Sequence, residues 1–299
     1  MNLYCARIGF LIGGRPLPDA TLLRAAKIFS TPFRSSRARA ASAQTAGARE
    51  EWLTVDGIEI ATYLWGNPTQ QPYVLFAHGW SSHDTRIAPR IEPLQTAGYA
   101  VVAFDQAGHG KSGGHRTTLP DFACHLLAVG QRYGPAAAIL GHSLGGAAVA
   151  VAVAVALALA RGLAAERAIL IAPAADPLAA MERFSRFVWL GVHFGRRLAM
   201  FYEHETRVPI NDLQAHRNAP LIGRPALIVH DVEDREVPWS ERERYARLWH
   251  GARMLSTCGF GHNRIVEHPQ VIDDALRFLR SEPVGTRIVS SPNLPYGFA

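Results

Sequence analysis

Six short apolar runs, spaced by longer helix-patterned segments, constrain what this chain can fold into more than any other feature. The runs are YVLFAHG (73–79), AVVAFD (100–105), AAAILGH (136–142), RAILIAP (167–173), PALIVHD (225–231) and ARMLSTC (252–258). Most lack the alternation of a half-solvated strand, so they read as strands buried on both faces. Helical patterns lie between or after them, near 86–97, 119–133, 144–161, 240–250 and 269–281. Strand, helix, strand in that rhythm implies crossover connections and parallel pairing. The expected fold class is therefore α/β: a mainly parallel, twisted sheet flanked by helices on both faces. Upstream, EWLTVDG and IEIATYLWG alternate apolar and polar residues around Asp56-Gly57. This pattern predicts a β-hairpin that adds antiparallel strands at one edge.

The 299 residues, 48% hydrophobic and 19% charged, suit one large domain with extensions. The body is read as residues 51–281. One segment breaks its rhythm: about fifty aromatic and basic residues separate Pro173 from Pro225, too long for a plain connection. Residues 176–215 of it are expected to form a helical cap over one end of the sheet. Residues 1–50 read as a basic N-terminal arm with a short amphipathic helix near 20–29, and 282–299 as an irregular C-terminal extension.

The net charge of +6 is unevenly placed. Residues 1–49 hold eight basic side chains against one acid, Asp19, and the remainder is close to neutral. The body therefore gives no support for nucleic-acid binding. The arm reads as a solvated basic tail, with weak contact to an anionic membrane surface as the alternative. CARIGFLIGG is too short in its apolar part for a secretory signal, and the run from Leu144 to Ala160 is too short to span a membrane. Segment 22–50 shares the Arg-, Ser- and Ala-rich texture of transit peptides. Cys5, Cys124 and Cys258 are odd in number and widely spaced, which points to a reducing, cytoplasmic setting rather than disulfides or zinc.

The chemistry centres on GHSLGG at 141–146. A strand pattern leads in and an apolar helix leads out. Gly141 and Gly145 let the two approach closely, with Ser143 at the apex of a G-x-S-x-G turn. A serine hydroxyl needs a base in reach and a group to orient that base. Among thirteen histidines, His262 in CGFGHNRI follows the last strand in a glycine-rich loop. Between serine and histidine, DVEDREVP offers Asp231, Glu233 and Asp234. Asp231 lies close to the strand end and is expected to cap the turn; Asp234 is expected to hold the imidazole. Two backbone donors would receive an oxyanion: Leu144 N–H at the helix start, and Trp80 N–H in the turn after His78-Gly79. His78 reads as a structural hydrogen-bonding residue.

Together the motifs HGW (78–80), DQAGHGKSGG (105–114), GHSLGG (141–146), DVEDREVP (231–238) and GFGHNR (259–264) resemble those of α/β-hydrolases over about residues 52–281. The resemblance implies Ser143, Asp234 and His262 as a catalytic triad in the family's Ser…Asp…His order. It also implies Trp80 and Leu144 N–H groups as the oxyanion hole, and 176–215 as the cap. The family usually has Arg where this chain has Ala107, in a loop of structural role. Ser143 argues against the aspartate-nucleophile relatives, the dehalogenases and epoxide hydrolases. The expected activity is hydrolysis of a carboxylic ester through an acyl-enzyme, with no cofactor and no metal. Thioester, amide and C–C bond hydrolysis use the same triad and stay open, as does a non-catalytic binding role. The aromatic cap favours an apolar substrate, unless Arg183, Arg186, Arg196 and Arg197 meet an acidic one.

Overall fold

The hairpin opens the sheet. Arg49–Val55 (β1) and Ile58–Trp65 (β2) pair antiparallel, and Asp56 and Gly57 between them have φ of 47° and 75°. Two successive positive φ values are what a tight two-residue turn needs to match strand twist. Six further strands follow: Tyr73–Ala77 (β3), Ala100–Phe104 (β4), Ala136–His142 (β5), Ala165–Ile171 (β6), Ala226–Asp231 (β7) and Ala252–Thr257 (β8). The sheet order is β1-β2-β4-β3-β5-β6-β7-β8, and every pairing from β4 to β8 is parallel. All six apolar runs are strands, with the hairpin on one edge. The structure, a computed structural model, describes residues 7–8, 10, 18–42, 47–82, 87–158 and 163–288.

Helices cover both faces. On one lie Leu119–Tyr133, Leu144–Ala158 and Trp239–Leu248; on the other lie Ala88–Thr96 and Pro269–Leu279. We label the described helices in chain order: α1 (Pro18–Phe29), α2 (Arg34–Ser42), α3 (Ala88–Thr96), α4 (Leu119–Tyr133), α5 (Leu144–Ala158), α6 (Pro177–Phe187), α7 (Val192–Thr206), α8 (Ala215–Asn218), α9 (Trp239–Leu248), α10 (Gly261–Arg264) and α11 (Pro269–Leu279). Alternate side chains of each central strand feed opposite cores. Leu75 joins the α4–α5 side, while Val74 and Phe76 join the α3–α11 side. All three are fully buried, each contributing about 1.5–3 kcal/mol relative to exposure. Among the described residues no helix is long and apolar enough to cross a membrane.

The segment predicted as a cap holds α6 and α7. Asp176 caps α6 by accepting from Ala179 N–H at 3.0 Å. Cap and body are tied through Glu241 of α9, which accepts from Ala175 N–H and pairs with Arg183. The tail is not wholly irregular. Thr286 bridges Met254 of β8, and Arg253 donates to Val284 O and Gly285 O. Residues 289–299 lie outside the described residues.

The expectation of a solvated arm does not hold for residues 18–37. α1 buries Ala25 and Ala26, and Phe29 packs edge-on against Phe184 of the cap at 5.1 Å. Tyr202 of α7 donates to Ala26 O at 2.7 Å. The basic composition hid this, because the apolar stripe of α1 is short and its partner face is supplied by the cap. Cys5 and residues 43–46 lie outside the described residues.

Candidate active site

The chemistry-bearing residues gather at the carboxyl ends of the parallel strands, where an open α/β sheet leaves its crevice. β5 ends at His142 and α5 begins at Leu144, so Ser143 alone makes the turn, at φ 54°. A non-glycine residue there is strained by about 1–3 kcal/mol and persists only where its surroundings hold it. Here they do. Ser143 N–H donates to Ile171 O at 2.9 Å, while its carbonyl accepts from Ala147 and Ala174 N–H. The glycines flanking it are sterically required. A Cβ on Gly141 would lie 2.6 Å from Gly145 O, and one on Gly145 would lie 2.5 Å from His78 O.

The half-buried Ser143 Oγ lies 3.0 Å from His262 Nε2, and His262 Nδ1 lies 2.7 Å from Asp234 Oδ2. The carboxylate keeps the imidazole proton on Nδ1, which leaves Nε2 to accept from the serine hydroxyl. Asp234 is enclosed. Its Oδ1 accepts from Glu236 and Val237 N–H, and Oδ2 lies 3.3 Å from His230 Nε2 as well. Burial alone would raise its pKa. The hydrogen bonds from His230 and His262 outweigh burial and hold the carboxyl well below the ordinary range. A depressed carboxylate pKa stabilises the fold above the unfolded-state value, near 3.9, and that stabilisation fades as pH falls further. Asp234→Asn is therefore expected to melt below wild type at pH 7, with the gap closing as pH drops through about 4. Thermal melts of both proteins from pH 7 to pH 3 check this; a gap independent of pH would contradict it.

Two positioning residues, and part of the role of a third, escaped the sequence reading. His142, just before the serine, uses Nε2 to donate to His262 O at 3.0 Å, tying the His262 backbone to the elbow. His230 supports Asp234 as described and also donates to Val237 O. Asp231 does more than cap its turn. It accepts from Glu233 N–H, but its Oδ2 also accepts from Thr257 Oγ1 at 2.8 Å and Phe260 N–H at 3.0 Å. It thus staples the loop carrying Asp234 to the loop carrying His262. Parallel pairing of β7 with β8, which sets Asp231 opposite Thr257, makes this reachable. The GHS tripeptide was the one visible signal for His142.

The predicted oxyanion donors flank this centre. Leu144 is the first residue of α5, so its N–H has no acceptor within the helix. Trp80 follows Gly79, and a Cβ on Gly79 would lie 3.0 Å from Ser143 Cβ, so this loop runs directly past the serine. The Trp80 indole packs against Phe122 and His109. His78 is structural, as expected: buried, it accepts from Gln106 N–H at 3.0 Å and donates to Gly79 O. The 105–114 loop supports the same wall. Asp105 accepts from Tyr63 OH and Lys111 N–H, and Ser112 Oγ donates to Asp105 O. His109 Nε2 accepts from Ser81 N–H. Burial, then the neighbouring His78, pushes the His109 pKa well below the usual imidazole range, so it stays a neutral acceptor. Among the described residues no cluster of three or more His, Cys, Asp or Glu side chains could hold a metal.

A strained serine between strand and helix, with histidine and acid on later strand ends of a mostly parallel eight-stranded sheet, defines a class. The chain has the fold of the α/β-hydrolases. The family model described as serine aminopeptidase, S33, matches residues 68–207. The chain is similar to a monoacylglycerol lipase of Mycolicibacterium smegmatis, 34% identical over 105 residues, or 32% of this chain and 37% of the lipase. It is also similar to a bifunctional esterase/perhydrolase of Acinetobacter calcoaceticus, 38% identical over 103 residues, or 32% of this chain and 36% of that protein. The matches thus span little more than a third of either relative. Alpha/beta hydrolase domain-containing protein 10 from mouse shares the fold, with a TM-score of 0.60 at 21% identity over 78% of this chain and 98% of that one.

Proposed function

We propose that this protein is a serine hydrolase cleaving carboxylic esters of apolar acids or alcohols by an acyl-enzyme route. The observation that carries the reading is the hydrogen-bonded line from Ser143 Oγ through His262 to Asp234. Ser143 attacks the ester carbonyl while His262 Nε2 takes the hydroxyl proton. The negative charge on the tetrahedral oxygen is received by the Trp80 and Leu144 N–H groups, each worth about 3 kcal/mol in such sites. The intermediate collapses, the C–O bond breaks, and the alcohol leaves with the proton from His262. Water then adds to the acyl-enzyme with the same base, releasing the acid and restoring Ser143. Asp234 stays ionised throughout and stabilises the imidazolium.

The cap supports an apolar substrate. Of its four arginines that could meet an acidic one, Arg183 pairs with Glu241, Arg196 with Glu182 and Arg197 with Asp19. The lipase and esterase names of the relatives agree with ester chemistry. The free cysteines Cys124 and Cys258 suit a cytoplasmic setting. The wild-type protein should hydrolyse p-nitrophenyl esters at rates that depend on acyl length, and a fluorophosphonate should modify Ser143. Failure of both turnover and labelling would overturn the proposal.

A further inference from the structure

We infer that residues 33–36 are a working part of the site: they position the loop that presents the Trp80 N–H. The inference rests on the ester-hydrolase reading above and extends it to a segment that the sequence had marked as a tail. Its centre is Ser81, the residue after Trp80. Ser81 is left-handed, at φ 49°, a conformation that L side chains adopt only when held. The holding comes chiefly from outside the body. Phe33 N–H donates to Ser81 Oγ at 3.0 Å, and Ser36 Oγ donates to Ser81 O. The remaining backbone group, Ser81 N–H, is taken by His109. Both the carbonyl and the hydroxyl oxygen of the residue that follows the predicted donor are therefore bound by α2 and its lead-in.

The segment is itself firmly seated, so it can transmit position. Ser36 is only 3% exposed. Arg37 spreads its guanidinium over Gly114 O at 2.9 Å and Ser112 O at 2.6 Å. Ser30 O accepts from Thr117 N–H at 2.9 Å, and Ser30 Oγ accepts from Arg116 Nε at 2.9 Å. These anchors belong to the same 105–118 region that supplies His109. Ser81 thus sits in a cradle whose two sides are tied together. On the opposite flank, a Cβ on Gly79 would lie 3.0 Å from Ser143 Cβ, so the loop passes close to the serine. Trp80 links the cradle to Gly79, so a displacement of Ser81 is passed through one residue to the peptide that carries the Trp80 N–H. Preorganised donors act only if aimed at the place where the oxyanion forms, and an error of about 1 Å is worth roughly a hundredfold in rate.

The test uses Ser36→Ala, Ser36→Thr and Ser81→Ala in the full chain, with Leu23→Ser on the exposed face of α1 as a control. Ser36→Ala and Ser81→Ala should each lower kcat for a p-nitrophenyl ester by about ten- to a hundredfold, with KM changed by less than about twofold. Ser36→Thr keeps the hydroxyl and should recover most of the rate; Leu23→Ser should match wild type. Amide hydrogen exchange over residues 79–82, read without any substrate, should quicken in the two alanine variants. Unchanged exchange overturns the inference, and so does quickened exchange with kcat intact. If exchange quickens but the wild type neither turns over esters nor takes the fluorophosphonate, the coupling of arm to loop stands. Its catalytic consequence then falls together with the ester-hydrolase reading.

Discussion

Ser143→Ala is expected to lower kcat by about 10⁵- to 10⁶-fold with the fold intact, and Ser143→Gly to match that loss while melting higher than the alanine variant. The first effect is the loss of the nucleophile. Removing one member of a triad costs nearly as much as removing all of it, because the members act as a unit. The second effect comes from the backbone. Ser143 is held at φ 54° by bonds from Ile171, Ala147 and Ala174 that involve only main-chain atoms. Alanine inherits the strain; glycine does not. Glycine also gains entropy in the unfolded chain, which offsets about 0.4–1 kcal/mol of the relief. We expect the remainder to appear as a melting temperature about 1–4 °C higher for Ser143→Gly than for Ser143→Ala. Calorimetry and ester turnover on both variants measure it. A glycine variant that melts below the alanine one would show that the elbow is not strained.

Gly145→Ala should be strongly damaging, costing about 3 kcal/mol or more. The added Cβ would press on Ala77 O and His78 O, main-chain atoms at the end of β3. Those atoms cannot retreat cheaply. Ala77 is paired to Phe104 on one side and Gly141 on the other, so β3 is locked into the middle of the sheet. If α5 moved instead, Leu144 would move with it. The substitution should therefore reduce both stability and activity. Gly223→Ala is the matched control: its Cβ would meet nothing within 4 Å, and its φ is not left-handed, so its stability should stay within about 0.5 kcal/mol of wild type. Urea titration of both variants decides it. A loss below 1 kcal/mol for Gly145→Ala would mean that strand and helix separate more easily than their packing indicates.

What could be read from the sequence was whatever short-range chemistry dictates. Runs such as VLFA and AILG leave few alternatives to buried strands. Asp56-Gly57 supplies the two residues that a tight hairpin turn asks for, and G-x-S-x-G carries its own steric reason. The order of the motifs placed His262 and Asp234 on strand ends, where the structure brings them to Ser143. What could not be read depends on pairings between distant segments. Asp231 resembles any acid at the end of a strand until β8 lies beside β7 and brings Thr257 and Phe260 within reach. His230 looks like a core residue until the turn folds Asp234 back over it. Residues 18–37 look like a basic tail because composition reports their charge. It does not report the surface that Phe29, Ser36 and Arg37 fit, which is assembled from the cap, the loop at 79–82 and the 105–118 loop.

The bond from Tyr202 to Ala26 O spans 176 residues. During synthesis, at about 5–20 residues per second, residues 18–37 leave the ribosome early, before the loop at 79–82 and the helix bearing Tyr202 exist. The segment is therefore made before the partners on which it seats. Closing so wide a loop is slow and gains nothing until its partners have folded. Ala26 O thus waits for its partner until residues through Tyr202 have been made, and Asp234 and His262 follow later still.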